Sequence, residues 1–209
     1  MSAPRARPEP ASSLPPLVLA SGSPRRHDLL RSLHLDFVVR PPEVDESPLW
    51  GEGPAAYVRR LARAKAAAAA RPGELALGAD TTVVLDSELL GKPGDDAEAR
   101  GMLRRIAGRD HVVLTAVALC EPATGRTVEA LESARVRMAP MSEEEIAWYV
   151  STGEPHDKAG AYAAQGLGAL FVERIEGAFG TVVGLPLPAT YRLFAELGYN
   201  LRRFASGRG

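Results

Sequence analysis

The sequence predicts an α/β (α+β) fold, a mixed β-sheet flanked by helices, on three observations. Short apolar runs alternate with helical segments along most of the chain. Between residues 112 and 138 the alternation stops, and two strand-like runs flank a turn, the mark of an antiparallel hairpin. The 209 residues are 45% hydrophobic and 24% charged, ordinary globular material with enough chain to bury a sizeable core. Helices alternating with strands, interrupted by a hairpin, call for a mixed sheet.

Leu17-Val18-Leu19-Ala20 reads as a first strand, and a helix runs from Pro24 to about Leu33. Ser23 stands where an N-cap belongs, with Pro24 at the favoured first helical position. From Pro54 to Ala70 the spacing of Tyr57, Leu61, Ala64 and Ala68 predicts an amphipathic, Ala-rich helix. Leu75 to Gly78 and Thr82 to Leu85 read as two strands, followed by a helix from about Asp96 to Ile106. Val112–Cys120 and Thr127–Met138 flank Pro122-Ala123-Thr124-Gly125, a hairpin turn. Ser142 with Glu145 three residues on is a capping box, opening a helix that ends near Thr152-Gly153. Leu170 to Ile175 reads as strand and Pro186 to Leu197 as the last helix. Residues 1–15 read as a disordered tail, 16–203 as a single domain and 204–209 as a flexible C-terminal tail.

The net charge of −1 argues against a protein that coats nucleic acid, yet leaves room for a small anionic ligand held by local cations. The one cysteine, Cys120, has no partner for a disulfide or a cysteine zinc site and reads as a buried strand residue. No run approaches the roughly 18 apolar residues that span a membrane, and the first fifteen residues lack the apolar core of a signal peptide. These features point to the cytoplasm.

Several short segments are candidates for chemistry. Ser21-Gly22-Ser23-Pro24-Arg25-Arg26 joins a strand to a helix, where free backbone N–H groups and the positive helix end suit a phosphate. Arg25 and Arg26 add fork-shaped donors, and Ser21 and Ser23 add hydroxyls. The spacing is not that of a Walker A loop, and a capped helix with solvated arginines fits the segment equally well. Asp80, in Gly78-Ala79-Asp80-Thr81-Thr82, ends a strand between two apolar runs, an unusual place for a carboxylate. Lys92 follows in Leu90-Gly91-Lys92-Pro93. Glu43, Asp45 and Glu46 form an acidic cluster in a Pro-bounded loop, either solvated or able to offer oxygen ligands to Mg²⁺ or Mn²⁺. Lys65 lies on the helix that follows. Farther on, Lys158 and Gln165 stand in a Gly- and Ala-rich stretch that allows close backbone approach, and Gln165 carries both a donor and an acceptor. The four histidines show no zinc-site spacing, and no G-x-S-x-G elbow surrounds Ser23.

Taken in order, these segments carry a resemblance. LASGSPRRHDLL, VDES, YVRRLARAKA, GADTTVV, LGKP, GRDHVVLTAVAL, GEPHDKAGAYAAQGLGALF and VVGLPL follow the order of motifs in the Maf family of nucleotide pyrophosphatases. The similarity extends from about Leu17 to Gly198. It implies an elongated α/β fold similar to the inosine triphosphate pyrophosphatases, with a cleft between two lobes. It also implies hydrolysis of a nucleoside triphosphate to the monophosphate and pyrophosphate, assisted by a divalent cation (Mg²⁺, Mn²⁺ or Co²⁺). By the family pattern Asp80 matches the catalytic acid-base residue and contributes to the metal site with Glu46. Lys65 and Lys92 match cations near the phosphates, and the segment of Ser23, Arg25 and Arg26 matches the phosphate loop; Ser21 and Lys158 are expected among the substrate-binding residues.

Arg25, Thr81 and Gln165 fall at positions that separate the subfamilies. Lys158-Ala159-Gly160-Ala161-Tyr162, then Gln165-Gly166 and the Val182-Val183-Gly184-Leu185-Pro186 ending, look like the dTTP/UTP branch. The 7-methyl-GTP branch typically carries Glu in place of this Gln. Gln165 could pair with the O4 and N3–H edge of uracil or thymine. His34 and the Gly180-Thr181 pair depart from the usual family residues. Two rivals stand beside this reading, a 7-methyl-GTP pyrophosphatase and a non-catalytic nucleotide-binding regulator of cell division. The implied partner is a small nucleoside triphosphate, with no nucleic acid polymer and no membrane; a homodimer is compatible with the resemblance.

Overall fold

The computed structural model describes residues 14–205. Its strands are β1 (Leu17–Ala20), β2 (Val38–Val39), β3 (Leu75–Leu85), β4 (Glu88–Leu90), β5 (Asp110–Glu121), β6 (Arg126–Met138) and β7 (Val172–Glu176). Its helices are α1 (Pro24–Ser32), α2 (Pro54–Ala69), α3 (Asp96–Ile106), α4 (Glu143–Ser151), α5 (Phe179–Val183) and α6 (Leu187–Glu196). The strands form one mixed sheet of order β2-β1-β3-β5-β6-β7, with β4 paired to β3. β1 runs parallel to both β2 and β3, whereas β3, β5, β6 and β7 pair antiparallel in turn.

The two strands expected at 75–78 and 82–85 are one. Ala79, Asp80 and Thr81 continue the ladder opposite Val117, Ala116 and Thr115 of β5, and these backbone bonds carry the extended conformation through the polar interruption. Asp80 therefore lies in mid-strand rather than at a strand end. β3 also connects two cores. Leu75, Leu77 and Ala79 pack with Leu17, Leu19 and Phe194, while Val83 and Leu85 pack with Leu103, Ile106 and Tyr149. Asp80 to Thr82 fall in the gap between the two apolar clusters, so the polar residues mark the place where one core ends and the next begins.

Helix α2 lies across this junction. Val58, Ala62 and Ala66 pack against Ala116 and Ala118 of β5. Alanine is needed because the approach is close: a Cβ on Gly78 would meet the Ala62 carbonyl oxygen at 2.3 Å and the Ala66 nitrogen at 2.6 Å. The same buried face carries Lys65, one turn from Leu61 and Ala69. Small residues thus bring the helix close enough to set an ammonium against β3.

Helix ends follow the expected chemistry in part. Ser142 and Glu145 form the capping box of α4, and Asp95 caps α3 by accepting from the Glu98 amide at 2.8 Å. Ser23 is the residue before α1 but makes no side-chain cap; its amide donates instead to Ser21 Oγ at 3.2 Å. The strand expected at 170–175 begins later, because Leu167–Phe171 wind into a 3-10 turn before β7. Cys120 lies in β5 as expected but is only partly buried, on a sheet face that α2 incompletely covers.

Most of the tail expected at 1–15 lies outside the described residues, and its last part does not hang free, since Leu14 packs on the first core. At the other end Phe204 is 6% exposed and Ala205 bridges Leu35, so the packed body includes both; 206–209 lie outside the described residues. Among the described residues no helix is long and apolar enough to cross a membrane.

Candidate active site

The gap between the two cores opens as a cleft of about 490 Å³. Ser21, Ser23, Arg25, Arg26, Glu46, Lys65, Asp80, Thr81, Lys92, Lys158 and Gln165 all line it. Residues from β1, α1, the loop before α2, α2 itself, β3 and the segment after α4 thus converge from across the chain. Glu43 and Asp45 of the acidic cluster do not line the cleft, and Asp45 accepts the Ser47 amide at 2.9 Å in a local turn. Among the described residues the lining carries five cations (Arg25, Arg26, Lys65, Lys92 and Lys158) against three carboxylates (Glu46, Asp80 and Asp157). In a chain of net charge −1, this local excess selects an anionic ligand.

Lys65 Nζ stands between two carboxylates, 2.7 Å from Asp80 Oδ1 and 2.7 Å from Glu46 Oε1. The two acids differ because their surroundings do. Burial pushes the Asp80 carboxyl above its ordinary value, and the attraction of Lys65 and Arg26 only partly offsets that. For Glu46 burial acts in the same sense, but the hydrogen bond from Lys65 and the charges of Lys65, Lys92 and Arg26 outweigh it and hold the carboxyl below the usual range. Two carboxyls that share one ammonium are thus shifted in opposite directions.

The loop bearing Glu46 is tied to the helix bearing Lys65. Tyr57 donates its hydroxyl to the Glu46 carbonyl at 2.9 Å, and Arg60 binds the Ser47 carbonyl at 3.0 Å and the Glu52 carboxylate through two bonds of 2.7 Å. The sequence pattern puts Tyr57 on a helix face and gives Arg60 no role. Their partners are mostly backbone groups of a loop, which no spacing rule reveals.

Arg26 is committed to the protein. Its guanidinium donates to the Gly184 carbonyl at 2.7 Å, Ser21 Oγ at 3.1 Å and Thr81 Oγ1 at 3.0 Å. Burial lowers its pKa, although Asp80 opposes the shift. Thr115 spends its hydroxyl proton on the Thr181 carbonyl at 2.6 Å, so in the 2.9 Å contact between the two hydroxyls Thr81 donates to Thr115. Thr81 therefore has no proton left for a ligand. Arg26 and Thr81 bind α1, β3, β5 and α5 together at the cleft floor.

The remaining cations lie nearer the mouth. Asp157 pairs with Arg25 Nη1 at 3.4 Å and with Lys158, whose ammonium also donates to the Glu154 carbonyl at 3.1 Å. Lys92 and Gln165 are exposed, and neither has a hydrogen bond or ion pair to another side chain among the described residues. No histidine lines the cleft. His111, behind the cleft-lining Tyr162, shares a 2.7 Å hydrogen bond with its hydroxyl, and burial pushes the imidazole down to about 4. Among the described residues no three His, Cys, Asp or Glu side chains group closely enough to hold a metal by themselves. Any cation here would need ligand oxygens from elsewhere.

Comparison with known proteins is consistent over the whole domain. Residues 16–197 match the family described as Maf-like protein. A dTTP/UTP pyrophosphatase from Symbiobacterium thermophilum is 50% identical over 195 residues, 92% of this chain and 98% of that protein. A dTTP/UTP pyrophosphatase from Anaeromyxobacter dehalogenans is 51% identical over 189 residues, covering 90% and 96%. One from Myxococcus xanthus is 50% identical over 188 residues, covering 88% and 94%.

Proposed function

Because the chain belongs to the Maf family, we propose that it hydrolyses dTTP and UTP to the monophosphate and pyrophosphate. The observation that carries this reading is Lys65 held between Asp80 and Glu46 inside a cleft with an excess of cations. Phosphoanhydride cleavage needs a base for water, positive charge around the phosphates and a polar group that reads the nucleobase.

Asp80 is the general base. Its raised pKa brings it nearer the range in which a carboxylate takes a proton usefully, and Lys65 keeps it oriented and ionised above that value. Arg25, Lys92 and Lys158 gather the triphosphate, with Ser21 and Ser23 at the start of α1. The triphosphate competes with Asp157 for Arg25 and Lys158, so phosphate oxygens replace a weak surface pairing rather than a buried one. Arg26 and Thr81 shape the floor. Gln165, with a free amide at the cleft wall, reads the O4 and N3–H edge of the pyrimidine.

The residues fit a divalent cation. Mg²⁺ is typically held by one or two carboxylates, with water and substrate phosphate oxygens completing its shell. Lys65 takes one oxygen of Asp80 and one of Glu46, leaving a second oxygen on each. Asp80 and Glu46 would hold Mg²⁺, Mn²⁺ or Co²⁺, which when bound offsets phosphate charge and makes water more acidic. The reading places the enzyme in the cytoplasm, acting on a small nucleotide.

Incubation with dTTP, UTP and 7-methyl-GTP in Mg²⁺ or Mn²⁺, with products resolved, tests the proposal. dTMP or UMP with pyrophosphate is expected. Binding without turnover, or a clear preference for 7-methyl-GTP, would overturn it.

A further inference from the structure

The segment carrying Gln165 lacks a ladder of its own. Between Tyr162 and Gly166 it has neither helix nor strand, and Gly166 lies at φ +82°. Its amides are held by two side chains from the α4 end instead. Tyr149 Oη accepts the Ala163 amide at 3.0 Å and donates to Glu154 Oε1 at 2.8 Å. Glu154 Oε1 also accepts the Gly168 amide at 2.9 Å, and Oε2 accepts the Leu167 amide at 3.0 Å. Gln165 is thus clamped on both sides, two residues after Ala163 and two before Leu167.

The clamp is tight. A Cβ on Gly168 would come within 2.4 Å of Tyr149 Oη, and one on Gly166 within 2.5 Å of Glu154 Oε2. Tyr149 is fully buried, and the Glu154 carbonyl holds Lys158. Glu154 therefore holds two cleft elements at once, the backbone beside Gln165 through its carboxylate and the Lys158 ammonium through its carbonyl.

We propose that Glu154, acting with Tyr149, is the positioning residue that sets nucleobase selectivity, by fixing the backbone on either side of Gln165. The inference rests on the pyrimidine-reading role given to Gln165 above. Neither residue touches the base. Glu154 serves three donors with two oxygens, and a glutamine in its place would turn an N–H toward the Leu167 amide. The loop would stay folded on its apolar contacts, but the backbone that carries Gln165 into the cleft would lose its fixed course.

The experiment compares UTP with CTP, whose pairing edge presents a donor where uracil presents an acceptor, in wild type, Glu154→Gln, Gln165→Ala and the double variant. In Glu154→Gln the UTP KM should rise on the order of tenfold with kcat nearly kept, and the UTP:CTP preference should narrow as in Gln165→Ala. The double variant should narrow it no further, because the clamp acts through Gln165. Tyr149→Phe, which removes one hydroxyl, should narrow it in the same direction and serves if Glu154→Gln fails to fold. A wild-type enzyme without the preference would overturn the reading of Gln165 and this proposal with it. A wild-type preference that survives in Glu154→Gln and Tyr149→Phe, or losses that add in the double variant, would overturn this proposal alone.

Discussion

Lys65 Nζ approaches Asp80 Oδ1 to 2.7 Å, joining a helix to the middle of a strand fifteen residues away, with both side chains about nine-tenths buried. The pair depends on burial and on attraction at once, and these push Asp80 in opposite directions. Burial is the larger effect.

In the metal-free protein the Asp80 carboxyl should therefore titrate above the ordinary aspartate value of 3.8. Lys65→Met removes both a hydrogen bond and a charge that lower the Asp80 pKa, so its titration should move to higher pH. An NMR titration of the Asp80 carboxyl in each metal-free protein checks this, and a midpoint that stays put or moves down in the variant would contradict it.

Asp80→Asn should lower turnover by about 10²–10⁴-fold, the usual share of a general base. Its stability should not fall at neutral pH. A carboxyl whose pKa is raised on folding stabilises most below its unfolded value, and that contribution is lost as pH rises through the folded one. At pH 7 the charged form is thus a burden that asparagine lacks, while Lys65 keeps Glu46. Thermal melts of the variant at pH 7 measure it, and a large drop in Tm would count against the assignment.

Arg26→Lys should cost stability as well as activity. One ammonium cannot reproduce the fork that reaches Gly184, Ser21 and Thr81, and leaving partly buried acceptors unpaired costs about 1–3 kcal/mol. Arg25→Lys, whose one ion pair is at the mouth, should leave Tm nearly unchanged and affect KM. Equal Tm losses in denaturation curves would refute the distinction.

Gly78→Ala should loosen the site from outside it. The added methyl meets α2 backbone at 2.3 Å, so the helix must move, and overpacking of this kind costs about 1–3 kcal/mol. Since Lys65 rides on that helix, kcat should fall together with Tm.

Chelation of divalent cations should abolish turnover. Glu46→Gln should then raise the Mg²⁺ concentration for half-maximal activity by at least about tenfold, a loss seen even for outer-shell partners of a metal. Titration of Mg²⁺ against rate measures it; an unchanged midpoint would separate Glu46 from the metal.

Much of this arrangement is legible before folding. The amphipathic spacing of α2, the capping box of α4 and the hairpin between β5 and β6 each have a local cause, and each forms. Asp80 and Thr81 break an apolar run and so predict two strands where β3 is one, a break that the β5 ladder overrides. α5 escaped notice because Thr181, Val182 and Val183 favour strand, and the bond from Thr115 to the Thr181 carbonyl that ties the helix down is tertiary. The cleft cations are recognisable in family order, but that Arg26 donates to three protein acceptors depends in part on Gly184, more than 150 residues away. Tyr57 and Glu154 lie in segments that carry the resemblance, but their roles, like that of Tyr149, come from backbone groups they meet only in the fold.

With Asp80 as base, the water that cleaves dTTP to dTMP and pyrophosphate should attack the α-phosphorus, and hydrolysis in ¹⁸O-labelled water shows which phosphorus it attacks. ¹⁸O is expected in dTMP and none in pyrophosphate. Label in the pyrophosphate, or release of orthophosphate with dTDP, would contradict it.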